Sequence, residues 1–470
     1  MTDFLQKAAE ILGEDNLLLG PDMAAFSTDW TGHYSCTPLA VARPKSTEEV
    51  SALMRLASDN NTPVVPVSGN TGLTGATMAD GALMISLQRM NKIRDIRPAS
   101  RLAVVEAGVV LANLHEAVDA HDLVFPLTFG ARGSAMVGGA LATNAGGSNV
   151  VRYGSTRGLC MGLEVVLASG EVLNLMSELH KDNSGYDLKD LFIGAEGTLG
   201  LITGAVVKLF PKPRAYATAM VAAPDLNAAL ILLNRLQSST GGAVEAFEYM
   251  PAAYIQRHMA HFPKARAPFE TLHDVNILVE VGATSPRDAE IAIDGSIPVV
   301  RHLEDTLAEL LEEGLVIDAV VANSETQRRE MWARRESAAE ITFSGEYFID
   351  SDIAVPLDKV PTLLARLTQR LAEFDPDARE LAIAHLGDGN VHHTAYPSRA
   401  DPVLKDAVKE AIEEEVQNLG GSFSAEHGIG VSKLNSMRRR KDPVALAVMS
   451  EIKKALDPKG IMNPGKVLPQ

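Results

Sequence analysis

The spacing of apolar and polar positions divides the chain into two regimes. In the first, short apolar runs end in glycine. Ser46-Thr47-Glu48-Glu49 places a hydroxyl at a helix N-cap and a carboxylate three residues on, which predicts a helix to about Ser58. Pro63-Val64-Val65-Pro66-Val67 reads as a short strand running into Ser68-Gly69-Asn70-Thr71-Gly72. Further strands are predicted over 83–87, 102–106 and 165–173, the last bent at Ser169-Gly170. A buried strand over 201–209 stops at Pro211-Lys212-Pro213, where a first domain would end.

From Ala215 the elements alternate at longer spacing. Strands are predicted over 217–222, 243–248, 276–281 and 316–321, with helices after Asp225, near 301–311 and around 324–341. This is the pattern of an α+β lobe with a mostly antiparallel sheet. From Asp401 two helices and no long strand are expected, as a segment packing back on the first lobe. The expected division is therefore 1–213, 214–400 and 401–470.

Composition narrows the picture modestly. A chain of 470 residues is comfortable for two cores. No apolar run approaches the length of a membrane span, and Met1-Thr2-Asp3-Phe4-Leu5 lacks the basic-then-apolar order of a signal peptide. Cys36 and Cys160 lie outside any metal-type spacing and read as buried thiols of a reducing compartment, so a cytoplasmic location is expected. With 43 basic and 60 acidic residues the net charge is −17, which disfavours nucleic acid. An anionic substrate would need cationic groups concentrated locally.

Three glycine clusters follow predicted strands. Asn70-Thr71-Gly72-Leu73-Thr74-Gly75 frees several backbone N–H groups to converge on an anion such as phosphate. It lacks the Gly-Lys-Ser/Thr ending of a P-loop, and no Gly-x-Gly-x-x-Gly occurs in the chain. The stretch 138–147 packs four glycines and two small polar residues into ten positions, so something must approach this backbone closely. Gly194-Ala195-Glu196-Gly197-Thr198-Leu199-Gly200 is the third cluster. Together they suggest one extended ligand held along its length.

Residues 66–75, Pro126-Leu127, 134–147, Arg152-Tyr153-Gly154 and 181–200 resemble the FAD domain of the vanillyl-alcohol-oxidase superfamily. The resemblance covers nearly the whole chain and narrows to the branch with D-lactate dehydrogenase, the glycolate oxidase D subunit and D-2-hydroxyglutarate dehydrogenase. It implies a two-lobed α+β fold: a PCMH-type FAD-binding domain, a substrate (cap) domain and the helical C-terminal segment. It implies FAD pyrophosphate on the first loop, with contacts from Pro66, Val67, Ser68, Gly69, Asn70, Thr71, Gly72 and Leu73. Further implied contacts are Pro126, Leu127, Ser134, Gly138, Gly139, Thr143, Asn144, Gly146 and Gly147, then Tyr153, Gly154, Glu196, Gly197, Gly200, Ile202 and Asn463. No histidine lies in the glycine loops, so the flavin is expected to be non-covalent.

Four of the twelve histidines fall between 385 and 427. Asp388-Gly389 between two β-prone arms is a strong hairpin signal. With those two as the loop, His385 would stand directly opposite His392, with Cβ atoms roughly 5 Å apart. Glu426, in Ser424-Ala425-Glu426-His427-Gly428, offers a carboxylate. Two histidines and one carboxylate with open positions suit catalytic zinc or manganese. The resemblance implies the same set, with His385, His392 and Glu426 on the metal and His427 as base. The implied chemistry is metal-assisted deprotonation of a 2-hydroxyl by His427 and transfer of the C2 hydrogen as hydride to flavin N5.

Arg335, in Trp332-Ala333-Arg334-Arg335-Glu336, matches an arginine that the resemblance assigns to the substrate carboxylate, and Arg334 is expected to be its solvated neighbour. Where the hydroxyglutarate branch uses threonine, lysine and asparagine, this chain has Ala339, Asp350 and Thr394. Asp350-Ser351-Asp352 puts negative charge where a second substrate carboxylate would need positive charge, which favours D-lactate or a similar monocarboxylate. The expected protein is an FAD-dependent D-2-hydroxy-acid dehydrogenase passing electrons to a quinone or electron-transfer protein, with a homodimer as its assembly. A D-2-hydroxyglutarate dehydrogenase, an oxidase, and a non-catalytic FAD-binding subunit of a glycolate-oxidase-like complex are the alternatives.

Overall fold

The computed structural model describes residues 3–343 and 345–469; Met1 and Thr2, where the N-terminal reading begins, lie outside them. The chain forms two units, the first from residues 3–146, 154–211 and 426–469 and the second from 147–153 and 212–425.

In the first unit the Ser46 hydroxyl accepts from the Glu49 backbone N–H and starts the helix Thr47–Asp59. One sheet orders Leu17–Leu18, Ala40–Ala42, Leu83–Ser86 and Val64–Val67, the last three parallel. A second, antiparallel throughout, orders Ile93–Arg97, Leu102–Glu106, Leu201–Lys208, Cys160–Val166 and Val172–Leu175. The single bent strand expected over 165–173 is instead a hairpin. Val166 pairs with Val172, and Gly170 at φ 82° makes the reversal. The stretch around Gly138 is a short helix, Val137–Thr143, rather than a loop.

The second unit holds seven antiparallel strands ordered Asp318–Val321, Ala215–Ala223, Val275–Ala283, Val244–Pro251, Arg379–His385, Asn390–Tyr396 and Ile349–Ala354. One face packs Phe247, Ile277, Val279 and Ile353 under the helices Leu226–Thr240, Pro298–Glu312 and Val360–Phe374. The other face packs Met250, Leu278, Leu381 and Ile383 against Ala252–His261, Glu325–Glu336 and Ala338–Thr342. The helix expected around 324–341 is thus two, parted at Ser337. The short segment 147–153 is tied down by buried Glu245, which accepts from Arg152 Nη1 at 2.6 Å, Tyr153 Oη at 2.8 Å and Asn149 Nδ2 at 3.1 Å.

The C-terminal stretch differs from expectation. It has three helices, Pro402–Asn418, Leu434–Arg440 and Pro443–Leu456. The first belongs to the second unit, because Leu404, Val408, Ile412 and Val416 form an apolar stripe buried in that unit's core. The chain rejoins the first unit at Glu426. Among the described residues no helix is long and apolar enough to cross a membrane.

The Asp-Gly hairpin exists with a different register. His385 pairs with Asn390 and Ile383 with His392, so the loop is Leu386-Gly387-Asp388-Gly389. Leu386 is fully buried, and the Asp388 and Gly389 N–H groups both donate to the His385 carbonyl at 3.2 Å, which closes the longer loop. A shift of two residues keeps His392 on the face of His385, whereas a shift of one would have sent it to the other side. Gly389 sits at φ 84°, where a Cβ would fall 2.2 Å from the Val355 carbonyl oxygen. Gly389→Ala is therefore expected to lower stability by roughly 2 kcal/mol or more, read from the urea midpoint. A midpoint equal to wild type would show that the loop does not seat there.

Candidate active site

The three glycine clusters lie in the first unit, apart from Gly147 and its neighbour segment to Tyr153, which fall in the second. Much of what approaches these glycines is the chain itself. A Cβ on Gly69 would fall 2.3 Å from the Ser134 carbonyl oxygen, and one on Gly138 would fall 2.6 Å from Ala107 Cβ. Gly139 faces Ser68, and Gly197 packs on Pro66. The third cluster docks on the second through Gly194 N–H to Leu141 O at 3.0 Å and Glu196 N–H to Ala142 O at 2.8 Å. Thr143 Oγ1 is spent on the Gly139 carbonyl, and Asn144 Oδ1 accepts from the Arg157 N–H. Gly200 packs under Val165, and Ile202 is buried. The Ser68 hydroxyl, by contrast, is buried with no protein partner, and nothing stands within 4 Å of where a Gly72 Cβ would be.

Glu196 does something the sequence did not suggest. Its backbone is left-handed at φ 50°, and its buried carboxylate accepts from the Ile429 N–H at 2.6 Å and the Gly430 N–H at 2.8 Å. Burial pushes this carboxyl above its ordinary range, against the two N–H groups that pull it down. Thr74 Oγ1 donates to the His427 carbonyl at 3.4 Å, and Asn463 Nδ2 donates to the Glu196 carbonyl at 2.7 Å. The segment after His427 is thereby clamped to the first and third glycine clusters.

The second unit assembles the other half of the expected set. Register puts Glu248, His385, Asn390, His392, Thr394, Asp352 and Asp350 on one sheet face. The His385 and His392 rings lie 5.3 Å apart between centroids at 78°. His393, one residue on, points to the opposite face and meets Glu380 at 3.0 Å. Arg335 Nε donates to Glu248 Oε2 at 2.7 Å, and its Nη2 lies 3.4 Å from each ring nitrogen of His385. His385 Nδ1 lies 2.9 Å from Glu248 Oε1. Burial alone would raise the Glu248 carboxyl, but His385 and Arg335 beside it hold it down at about 2. Asp352, directly opposite His392, has an oxygen 3.8 Å from its Nδ1 and accepts from Asn390 Nδ2 at 3.0 Å. Asp350 accepts from Thr394 Oγ1 at 2.9 Å.

Glu248 and Asp352 went unread in the sequence as partners of this site. Glu248 sits in a largely apolar strand, Phe247-Glu248-Tyr249-Met250, where a carboxylate between apolar side chains was itself the signal. Arg334 is not solvated. It is 5% exposed and its Nη2 donates to the Arg266 carbonyl, because it lies between the helix Ala252–His261 and the segment after it, with Tyr254 Oη donating to its carbonyl. Glu426 and His427 belong to the first unit.

Residues 38–176 match the FAD binding domain family, and residues 212–467 match the family of FAD linked oxidases, C-terminal domain. The D-2-hydroxyglutarate dehydrogenase of Stutzerimonas stutzeri is 35% identical over 451 residues, covering 94% of both chains. The mitochondrial D-2-hydroxyglutarate dehydrogenase of Arabidopsis thaliana is 35% identical over 463 residues, 98% of this chain and 80% of that one. A solved structure of p-cresol methylhydroxylase shares the fold, with TM-score 0.74 at 16% identity over 98% of this chain and 96% of that one. The chain belongs to the FAD-linked oxidase family and, within it, to the FAD-dependent D-2-hydroxy-acid dehydrogenases.

Proposed function

We propose that the protein oxidises D-2-hydroxyglutarate to the 2-keto acid, with the substrate carboxylate received by Arg335. The buried group of Arg335, Glu248 and His385 carries this reading, together with the substrate in the names of the relatives. Bound FAD would supply the hydride acceptor. Its pyrophosphate is assigned to the loop at Ser68–Gly72, supported by the unpartnered Ser68 hydroxyl and the open space at Gly72. The electron acceptor is proposed to be a quinone or an electron-transfer protein. The free buried thiols Cys36 and Cys160 support a reducing, cytoplasmic setting.

A divalent metal is proposed on His385 and His392, where it would supply a Lewis acid for the 2-hydroxyl. Burial supports it: the carboxylates Glu248 and Asp352 stand on the same face as the two histidines, a setting that favours a cation. Glu426 as third ligand and His427 as base rest on the sequence of 424–430 and on the family resemblance.

A second reading is favoured by Asp350. Its carboxylate shares the sheet face of His392, and no cation replaces it at Ala339 or Thr394. A carboxylate there would repel the distal carboxylate of a dicarboxylate and select a monocarboxylate such as D-lactate.

Three outcomes are expected. With an artificial acceptor, wild type should show higher kcat/KM for D-2-hydroxyglutarate than for D-lactate. The reverse order, with Asp350→Lys lowering KM for the dicarboxylate, would establish the second reading in its place. Chelation should abolish turnover while the flavin stays bound, with zinc or manganese restoring it; full activity in protein shown to be metal-free would remove the metal from the scheme. Ser68→Ala should weaken FAD roughly five- to tenfold in a titration of apoprotein, the worth of one hydrogen bond. Unchanged affinity would place the pyrophosphate elsewhere.

A further inference from the structure

Two arginine–glutamate pairs, two helical turns apart, fasten the helix Glu325–Glu336 to the sheet. At the first, four donors converge on Glu280. Arg328 donates through Nε and Nη2, both at 2.7 Å, Trp332 Nε1 donates at 2.8 Å and Thr218 Oγ1 at 2.6 Å. Three of these donors come from the helix and the fourth from the strand Ala215–Ala223. The second pair has a different arrangement. Glu248 takes a single bond from Arg335, through Nε to Oε2 at 2.7 Å, and presents both oxygens to His385 Nδ1, Oε1 at 2.9 Å and Oε2 at 2.8 Å. Arg335 Nη2 closes the triangle against the His385 ring at 3.4 Å. All three residues are buried.

An ionised carboxylate can only accept, so Nδ1 of His385 carries a proton toward Glu248, and in the neutral ring Nε2 is the nitrogen with the lone pair for a cation. Arg335 is likewise held through Nε on Glu248 and through Nη2 against the His385 ring, which leaves Nη1 for the substrate carboxylate. The geometry points to Glu248 as a positioning residue that serves two ligands at once: it sets the tautomer and ring plane of His385 for a divalent cation, and it aims Arg335 at the substrate carboxylate. This rests on the metal reading proposed above. A carboxylate behind a ligating histidine raises its basicity, and losing such a partner costs about 10–100-fold in metal affinity.

The experiment uses the full-length, FAD-loaded protein, stripped with a chelator and titrated with Zn2+ in competition with a chromophoric chelator. Wild type, Glu248→Gln and Glu280→Gln are compared. Glu248→Gln is expected to bind zinc about 10–100-fold more weakly, with KM for the 2-hydroxy acid raised and flavin content unchanged. Glu280→Gln loses a buried clamp of the same kind and should stay within about threefold of wild type for zinc. Zinc affinity unchanged in Glu248→Gln, or equally weakened in both variants, would overturn the proposal, since the first leaves Glu248 without a role and the second makes the role purely structural. Wild type that takes up no zinc while still turning over substrate would instead remove the metal reading beneath it. Should Glu248→Gln fail to fold, Glu248→Asp against Glu280→Asp makes the same comparison with the buried charge kept, and the same loss confined to position 248 is expected.

Discussion

A carboxylate taken out of water has to be matched by positive charge or by donors, and the second unit buries several on one sheet. Glu280 is matched by Arg328 and two neutral donors, and Glu245 by Arg152, Tyr153 and Asn149. These pairs close on themselves. Glu248 shares its guanidinium with a histidine, and Asp352 accepts from Asn390 beside the edge of His392. The face that bears His385 and His392 thus gathers buried carboxylates whose partners include histidines and an amide as well as a guanidinium.

How much of this could be read from the sequence depends on the range of the interaction. Ser46 and Glu49 lie three residues apart, and the cap formed as read. The Asp388-Gly389 turn was also visible, but its register was not. Register was decided by Leu386, whose burial belongs to packing against other strands, and a four-residue loop resulted. The pairing of the two histidines survived only because side chains alternate with period two. Glu248 stands 137 residues from His385, a separation that no spacing rule reaches.

The glycine clusters teach a related point. Close approach was expected over 138–147, by a ligand, but the atoms that crowd Gly69, Gly138 and Gly197 are Ser134, Ala107 and Pro66 of the same chain. Absence of a side chain is demanded equally by a ligand and by a neighbouring backbone, and composition cannot separate the two. Ser68 and Gly72 are distinguished only in three dimensions, by a missing partner and by open space. Arg334 and Arg335 were separable in sequence only by analogy, since both turned out to be buried.

The interleaving of the two units has a consequence for synthesis. Residues 147–153 emerge from the ribosome early but find their anchor, Glu245, only about a hundred codons later. The first unit is completed later still: Met462 bridges to Val64, and Asn463 donates to the carbonyl of Glu196. Neither unit can finish as a nascent segment, so the protein departs from the usual order in which an N-terminal domain folds before the next is made. The glycine clusters must wait, incompletely braced, until Met462 and Asn463 have been translated. Loss of the segment that holds Met462 and Asn463 would therefore be felt first at Val64 and Glu196, hundreds of residues earlier in the chain.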